Sequence, residues 1–414
     1  MTKRITSLLI VFVILITLTS CNESVKQWDG SIADEFGSGD GTESSPYEIN
    51  DPSQLALLAK QVNEGNVYSG KYFSLLCDID LCDIEWTPIG NGTYGFEGIF
   101  DGNGHTVKNL KISVGAFYDR SYTEQITVKG YVSGLFGACT DAVIQNLNIS
   151  GAEIQVGGFT RIFDISAGVL CGLCNSVNTQ TVISNIKISD AVISADFNQK
   201  DVQASIMKLG GAVGNAHSIE QSNSIFKQIQ ADVEISIVNG MASDNTLGGL
   251  FGYIHTMSSC SIENCCSYLS AKLDEKRITV KKTSLGAFGT IQSSDKPFEI
   301  TNIFSKVTAD KIYDISHGYP AYTATAYAII GDAYAFWPDE NPSAVGYVIE
   351  NVFGYLEQTD KESGERRILT DLYKLPDVKD FSQINCSGCE SLPENNGFDP
   401  DIWDLTDLSN PKLK

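Results

Sequence analysis

The sequence is short of basic residues. Lys and Arg number 29 against 51 Asp and Glu, so the formal net charge is −22 and the isoelectric point is about 4.5. A field of this sign repels phosphate backbones. Nucleic acid is therefore excluded as a partner, and the acidity is interpreted as that of a solvated surface.

Histidine is also scarce, and catalytic motifs are missing. The four histidines occur as His105-Thr, His217-Ser, His255-Thr and His317-Gly, so no HExxH zinc motif is present. GxSxG and P-loop motifs are missing as well. His105 is interpreted as a turn residue. We predict no catalytic residue, no bound metal and no cofactor.

No apolar run is long enough to cross a membrane. The run from Leu8 to Leu18 is shorter than the roughly 18 residues that a spanning helix needs, and Lys3 and Arg4 precede it. Residues 1–20 are therefore predicted to be an export signal. The sequence Leu18-Thr19-Ser20-Cys21 resembles a bacterial lipobox, which implies cleavage before Cys21 and a lipid on its thiol. Residues 21–45 are rich in Gly, Ser and Asp and are predicted to be a flexible tether.

Two CxxC pairs follow, Cys171 with Cys174 and Cys386 with Cys389. They lie far apart and have no His at ligand spacing, which disfavours zinc. We interpret Cys171 and Cys174 as small buried apolar side chains. Cys386 and Cys389 are candidates for a local disulfide, since an exported chain meets oxidising conditions.

A glycine-bounded apolar motif, which we call the hook, recurs along the chain. Most hooks are followed by a strand-like segment that begins with Asn. The hooks are Gly98-Ile-Phe, Gly134-Leu-Phe-Gly, Gly168-Val-Leu-Cys-Gly, Gly211-Ala-Val-Gly, Gly249-Leu-Phe-Gly, Gly286-Ala-Phe-Gly and Ala328-Ile-Ile-Gly, and the Asn segments begin at Asn109, Asn146, Asn185, Asn264, Asn302 and Asn351. The fourth unit has Ile225-Phe-Lys-Gln-Ile in place of the Asn segment.

Short strands of this kind cannot bury an apolar face alone and must stack. Gly and Asn tolerate the left-handed backbone that tight corners require. The period therefore predicts an all-β fold, a right-handed parallel β-helix (β-solenoid) of about seven coils, with a ladder of hydrogen-bonded Asn side chains. A β-sandwich is the alternative.

Both ends of the stack need covers. Asp51-Pro52-Ser53 predicts a helix start, with Leu55, Leu58, Ala59 and Val62 on one face, so a short helix is expected to cap the first coil. The C-terminal segment, which contains Leu372, Leu375, Phe381 and Trp403, is expected to close the other end. The predicted divisions are 46–110 for the N-terminal cap and first coil, 111–355 for the repeats and 356–414 for the C-terminal cap.

The hooks and their Asn-led strands resemble the GLUG motif of bacterial surface proteins, adhesins and the non-catalytic region of immunoglobulin-A1-protease-type metallopeptidases. The segments Pro46-Tyr-Glu-Ile-Asn, Trp86-Thr-Pro-Ile-Gly and Phe100-Asp-Gly-Asn-Gly-His are similar to the stretch that precedes that motif. The resemblance covers most of the chain after Pro46. It implies the β-helix architecture and a surface role, and it says almost nothing about activity.

Aromatic residues suggest where a ligand binds, because rings stack on sugars. The predicted ligand-binding residues are Tyr319, Tyr322, Tyr334, Phe336 and Trp337 in one side loop, and Trp86 and Tyr94 in a second, weaker cluster. The alternative is that these rings pack the solenoid. The acidic residues Asp78, Asp80, Asp83 and Glu85 do not converge on an active site, and no basic partner is expected near them.

These patterns favour a non-catalytic adhesin or glycan-binding module, held at the bacterial outer membrane or cell surface by the lipid on Cys21. Its expected partners are the membrane and a glycan or a host or envelope protein. The alternative is a polysaccharide lyase or glycoside hydrolase on a β-helix scaffold.

Overall fold

The computed structural model describes residues 25–123, 126–157, 162–196, 204–219, 221–238, 242–273, 282–293, 298–310, 323–326, 329–335, 347–359, 366–369, 391–393 and 396–414. In these residues no helix has the length and apolar character that crossing a membrane would require.

The N-terminal block contains one helix and short strands. Helix α1 (Pro52–Asn63) begins at the predicted place, since the Asp51 carboxylate accepts hydrogen bonds from the Ser53 amide and hydroxyl at 2.9 and 2.6 Å. Leu55, Leu58, Ala59 and Val62 are buried, as predicted. The strands are β1 (Lys26–Gln27), β2 (Tyr47–Ile49), β3 (Tyr72–Leu75), β4 (Ile79–Asp80), β5 (Ile99–Asp101), β6 (Thr106–Lys108) and β7 (Lys111–Ile112).

The remainder of the described chain consists of two large sheets and a hairpin. The hook sheet contains β8 (Ala116–Thr123), β9 (Ile126–Ser133), β10 (Phe136–Thr140), β13 (Ile162–Gly168), β14 (Cys171–Ser176), β16 (Ala204–Gly210), β17 (Val213–Ser218), β19 (Ala242–Thr256), β21 (Lys282–Ser293), β23 (Thr323–Ala326) and β24 (Ile330–Ala335). The asparagine sheet contains β1 to β7 together with β11 (Val143–Ser150), β12 (Glu153–Gly157), β15 (Gln180–Asp196), β18 (Asn223–Val238), β20 (Ser259–Leu273), β22 (Phe298–Asp310), β25 (Tyr347–Thr359) and β26 (Arg366–Leu369). Strands β27 (Trp403–Asp404) and β28 (Lys412–Leu413) pair with each other.

Successive coils pair in parallel on both sheets, which confirms the predicted β-solenoid. In the asparagine sheet β11, β15, β18, β20, β22 and β25 follow one another, and in the hook sheet β10, β14, β17, β19, β21 and β24 do so. Apolar side chains in register fill the interior, as in the column Ile144, Ile183, Phe226, Ile262 and Ile300. This continuous column stabilises each coil only through its neighbours.

The number of complete coils is about four, which differs slightly from the predicted seven. The first hook, Gly98-Ile-Phe, leads into β5 of the asparagine sheet, and the preceding residues Ile89 and Phe96 meet β10 of the hook sheet through isolated bridges. The first coil is thus built from short strands of the N-terminal block. At the other end the strands β23 and β24 are short and stretches between them fall outside the described residues.

The Asn ladder is confirmed. Asn146, Asn185, Asn264, Asn302 and Asn351 all have φ between 51° and 56°, the left-handed region that Asn tolerates. The Asn185 amide donates to Asn146 Oδ1 at 2.8 Å, and Asn351 donates to Asn302, which donates to Asn264, each at 3.0 Å. Gln228 takes the corner of the fourth unit, with φ of 55°.

Asn109 lies at a different corner, so its placement in the same column was wrong. Its backbone N–H donates to Ser150 O at 3.0 Å, and its side-chain amide donates to Asp80 Oδ1 at 2.7 Å. The next residue at that corner is Gly151, with φ of 66°. Both anchors of the first unit are displaced along the coil relative to the later units, because Ile99 pairs with Val143 and Lys108 with Ser150.

The described C-terminal segment, residues 391–393 and 396–414, lies along the flank of the asparagine sheet. Its Leu413 amide donates to Gln230 Oε1 at 2.7 Å, and Tyr268 donates to Pro411 O at 2.8 Å. Trp403 is buried in a small cluster with Cys266, Phe304 and Phe353 of the sheet. The expectation that this part closes the end of the stack was therefore wrong, because outward apolar side chains on the flank offer it a better site. Leu372, Leu375 and Phe381 lie outside the described residues.

Candidate functional site

The hook sheet folds back on itself at the second glycine of each hook. A Cβ on Gly252 would lie 2.6 Å from the Leu209 nitrogen, and one on Gly289 would lie 2.6 Å from the Leu247 nitrogen. In each contact, the glycine belongs to the strand that follows one hook. The nitrogen belongs to the strand that leads into the preceding hook. Because only glycine allows backbones this close, the two arms of the sheet form a V.

Outward-facing side chains of the two arms converge in this V, and we call the result the hook groove. Each arm contributes one row of side chains, and the members of a row are register partners on neighbouring strands. The rows are Ser166, Lys208, Thr246 and Ser284, and Asn215, Tyr253 and Thr290. Alternate residues of both arms, such as Met207 and Ile254, face the solenoid interior.

A buried ion pair lies within one arm of the groove, between the neighbouring strands β13 and β16. Lys208 Nζ lies 3.0 Å from Asp164 Oδ1, and the two side chains are only 7% and 14% exposed. The same ammonium group lies 5.0 Å from the centroid of the Tyr253 ring on the opposite arm. A cation over an aromatic face is attracted to it, so this contact joins the arms. The Tyr253 hydroxyl donates to Gln292.

Two histidines line the rim. The rings of His217 and His255 are 4.9 Å apart at 52°, and the Tyr253 ring lies 6.5 Å from that of His255. In register, the row runs from Asn175 through both histidines to Gln292. The rim thus presents ring faces beside amide groups.

Several polar atoms at the floor lack partners. The side-chain oxygens of Ser166, Asn215, Ser284 and Thr290 have no hydrogen-bond partner within the described part of the chain, and all four residues are buried. An unsatisfied buried polar group costs about 1–3 kcal/mol. Hydroxyl groups of a bound molecule or water would relieve this cost if they entered the groove.

The predicted ligand-binding residues are only partly placed. Trp86 is 1% exposed, donates to Leu135 O at 3.2 Å and packs edge-on against Trp28. It is a core residue, so its assignment to ligand binding was wrong. Tyr94 is 43% exposed and lies over Gly65 in the N-terminal block.

Tyr334 occupies β24 in register with Gln292, so its backbone continues the histidine row. Its side chain lies outside the described residues, as do Cys21, Tyr319, Tyr322, Phe336 and Trp337. These assignments stay predictions. The hook groove itself was missed from sequence, although polar residues flanking each hook, such as Lys208 and Tyr253, carried the signal.

Acidic residues of the N-terminal block do have basic partners, contrary to expectation. Asp78 lies 3.3 Å from His105 Nδ1 and 3.7 Å from Lys108 Nζ. This half-exposed group is an ordinary surface ion pair. Across the described ranges, no three or more His, Cys, Asp or Glu side chains are arranged to hold a metal ion.

Comparison with known proteins gives distant likenesses. No protein-family profile matches the chain. It is 28% identical over 199 residues to halomucin of Haloquadratum walsbyi, a match that covers 44% of this chain and 2% of halomucin. The chain thus spans a very small part of that relative's length.

A crystal structure of a Bacteroides ovatus protein provisionally designated an immunoglobulin A1 protease aligns with a TM-score of 0.39. The identity is 16%, over 92% of this chain and 95% of that chain. The GLUG resemblance in the sequence also names proteins of this designation. At this score the likeness carries no argument about fold or function.

Proposed function

We propose that the protein is a non-catalytic, lipid-anchored β-solenoid of the bacterial cell envelope that binds glycans through the hook groove, as an adhesin or a glycan-contacting module. The observation that carries the proposal is the row of partly exposed rings at the groove's rim, where His217 and His255 lie 4.9 Å apart beside the Tyr253 ring.

A sugar matches this arrangement chemically. Each sugar hydroxyl both donates and accepts, so a sugar on the rim can pair with the partly exposed amide groups of Asn175 and Gln292 in the histidine row. The rings of His217, His255 and Tyr253 offer flat faces for the CH-rich side of a pyranose. Sites of this type combine ring surface with a few fixed polar groups.

The envelope location rests on the N-terminal sequence. A lipid on Cys21 with the tether of residues 21–45 would hold the solenoid near a membrane while it remains accessible. Covalent lipid gives membrane affinity in proportion to its buried methylene groups. Metabolic labelling with a fatty-acid analogue tests this part, and labelling that survives Cys21→Ser would contradict it.

The binding claim is tested by screening the mature full-length chain against a glycan array. We expect specific binding that is lost in a His217→Ala, His255→Ala variant and retained in His105→Ala, a histidine of the N-terminal block. A parallel Tyr334→Ala, Trp337→Ala variant tests the side loop predicted from sequence. Glycan binding that survives in both double variants would contradict the groove and the side loop as binding sites.

A polysaccharide-degrading enzyme is the second candidate, because the groove holds a carboxylate and a lysine together, Asp164 and Lys208, beside the Tyr253 ring. Carboxylate and lysine side chains both act as general acids or bases in enzymes. Each glycan that binds is therefore incubated with the protein and examined by mass spectrometry. Shortened chains that disappear in Lys208→Met would favour the enzyme, and intact chains favour the binding module.

A further inference from the structure

Three cysteines meet inside the solenoid between the second and third hooks. Cys139 lies on β10, and Cys171 and Cys174 lie on the neighbouring strand β14. Cys139 and Cys174 are register partners, and Cys139 Sγ is 3.5 Å from Cys171 Sγ. All three side chains are at most 1% exposed.

We propose that Cys139 and Cys171 form a disulfide that links two consecutive coils, with Cys174 as the third thiol beside it. A bond requires the Cys139 and Cys171 sulfur atoms to move from 3.5 Å to about 2.05 Å apart. Cys171 is in register with Phe136, so this bridge would run diagonally between the two strands. Unlike the local CxxC bridge predicted for Cys386 and Cys389, it would add a covalent bond between coils that are otherwise held by backbone hydrogen bonds and packing.

In the stacked coils the three thiols differ in acidity. Hydrogen bonds from Cys171 and Cys174 lower the pKa of Cys139. Burial and the hydrogen bond to Cys139 raise the pKa of Cys171, and the hydrogen bond to Cys139 together with burial raises the pKa of Cys174. The thiolate is the nucleophile in disulfide exchange.

The reaction needs an oxidant, which we assign to the class of disulfide-donating oxidoreductases found outside the cytoplasm. The Cys139 thiolate attacks one sulfur of the donor disulfide and forms a mixed disulfide, releasing the donor's other sulfur as a thiolate. Cys171 then loses its proton and attacks Cys139 Sγ, releasing the second donor sulfur. Two cysteines lose two protons and two electrons, and the donor becomes a dithiol. Because the site is buried, the exchange precedes complete stacking of these coils.

The test is peptide mapping of the full chain produced with its leader in an oxidising compartment. The protein is denatured in an alkylating reagent and digested without reductant. We expect one linked peptide pair that joins Cys139 to Cys171, lighter by two hydrogen atoms than the two thiol peptides, with Cys174 alkylated. Alkylation of all three cysteines, or a link from Cys139 to Cys174, would overturn the proposal.

A second measurement, the response of thermal unfolding to reductant, tests the bridge without relying on the folding of a single variant. Thermal unfolding of the wild type and of Cys260→Ala, a buried cysteine outside the pair, should move to lower temperature when reductant is added. The Cys139→Ala, Cys171→Ala double variant should show a smaller response to reductant. An equal response in all three proteins would assign the effect to another bridge and contradict this one.

Discussion

At the scale of single residues, the corners of the solenoid decide which side chains the sequence can hold. Each ladder Asn has a left-handed backbone, and its side chain forms a hydrogen bond with the ladder Asn of a neighbouring coil. Asn accepts that backbone at lower cost than other non-glycine residues, because its short side chain bonds locally. The corner therefore selects one residue type for two physical reasons.

The missing rung makes this testable. Gln228 has the same backbone conformation as the ladder residues, with φ of 55°, between the coils of Asn185 and Asn264. Gln228→Asn should restore a continuous ladder and stabilise the protein by about 0.5–1.5 kcal/mol, the worth of one net hydrogen bond. Chemical denaturation measures the change, with Gln228→Ala as the matched control, which should destabilise. Equal stability of the Asn and Ala variants would contradict the role of the ladder.

A second residue gives a pH-dependent prediction. Burial, and then the nearby charge of Asp190, raise the pKa of Asp232 above its ordinary value of 3.8. The folded protein thus binds a proton more tightly there than the unfolded chain. Stability is expected to fall as the pH rises from about 3.8 through the raised pKa, and the loss persists at neutral pH.

Asp232→Asn should remove that loss, so the variant is expected to be more stable than the wild type at pH 7 and to differ little at low pH. Unfolding at several pH values measures it, with Asp401→Asn as an exposed control. A variant that is equally stabilised at every pH would show that the carboxylate's charge is not the cause.

The close approach of backbones at the hooks is equally specific. Gly252→Ala should destabilise the protein by roughly 1–3 kcal/mol, because the added Cβ would lie 2.6 Å from the Leu209 nitrogen and the surrounding backbone must shift. Thermal unfolding checks this, with Ala271→Gly in β20 as a control that alters a Cβ without crowding. A tolerated alanine would mean that the arms of the groove are not held in contact.

At the scale of elements, the helix and the strand stack follow directly from pattern. Asp51-Pro52-Ser53 predicted the N-cap and the Pro at the start of α1, and the hooks predicted parallel strands in register. The C-terminal segment did not follow, because its partners Cys266, Phe304 and Phe353 are ordinary alternating strand residues in the sequence. Which apolar residues face outward at a flank depends on the register of coils distant in sequence, and short motifs do not encode it.

The groove escaped prediction for the same reason. Lys208 and Tyr253 belong to different coils, and only the fold at the glycine hooks brings them 5.0 Å apart. The aromatic rings chosen from composition included Trp86, which the core takes up. Burial of a ring is decided by its position on the coil, so composition alone could not separate ligand-facing rings from core rings.

The helix cap gives a prediction at this scale. Asp51→Ala removes the acceptor for the Ser53 amide and hydroxyl and should cost about 1 kcal/mol of stability. Asp51→Asn, which keeps an acceptor oxygen, should cost less. Denaturant unfolding compares the two, and an equal loss in both variants would show that charge and not the cap bond matters.

At the scale of the whole molecule, the C-terminal segment covers an apolar strip on the outside of the solenoid. Trp403 and Leu413 are buried against that strip, and the Leu413 amide also donates to Gln230 Oε1. Trp403→Ala should cost about 3–5 kcal/mol. It should also expose the strip, which a hydrophobic dye would detect, whereas the matched change of the partly buried Leu408→Ala should bind little dye. Absence of dye binding to Trp403→Ala would mean that the segment does not shield the flank.

The account as a whole depends on the hook groove as a ligand site. The most direct measurement is the dissociation constant of the tightest array glycan for the wild type, for His217→Ala, His255→Ala and for the control His105→Ala. The account predicts at least a roughly tenfold weaker dissociation constant for the groove variant alone, since tenfold corresponds to about 1.4 kcal/mol and loss of a central ring contact costs about 2 kcal/mol or more. Equal constants for the three proteins, all of them folded, would contradict it.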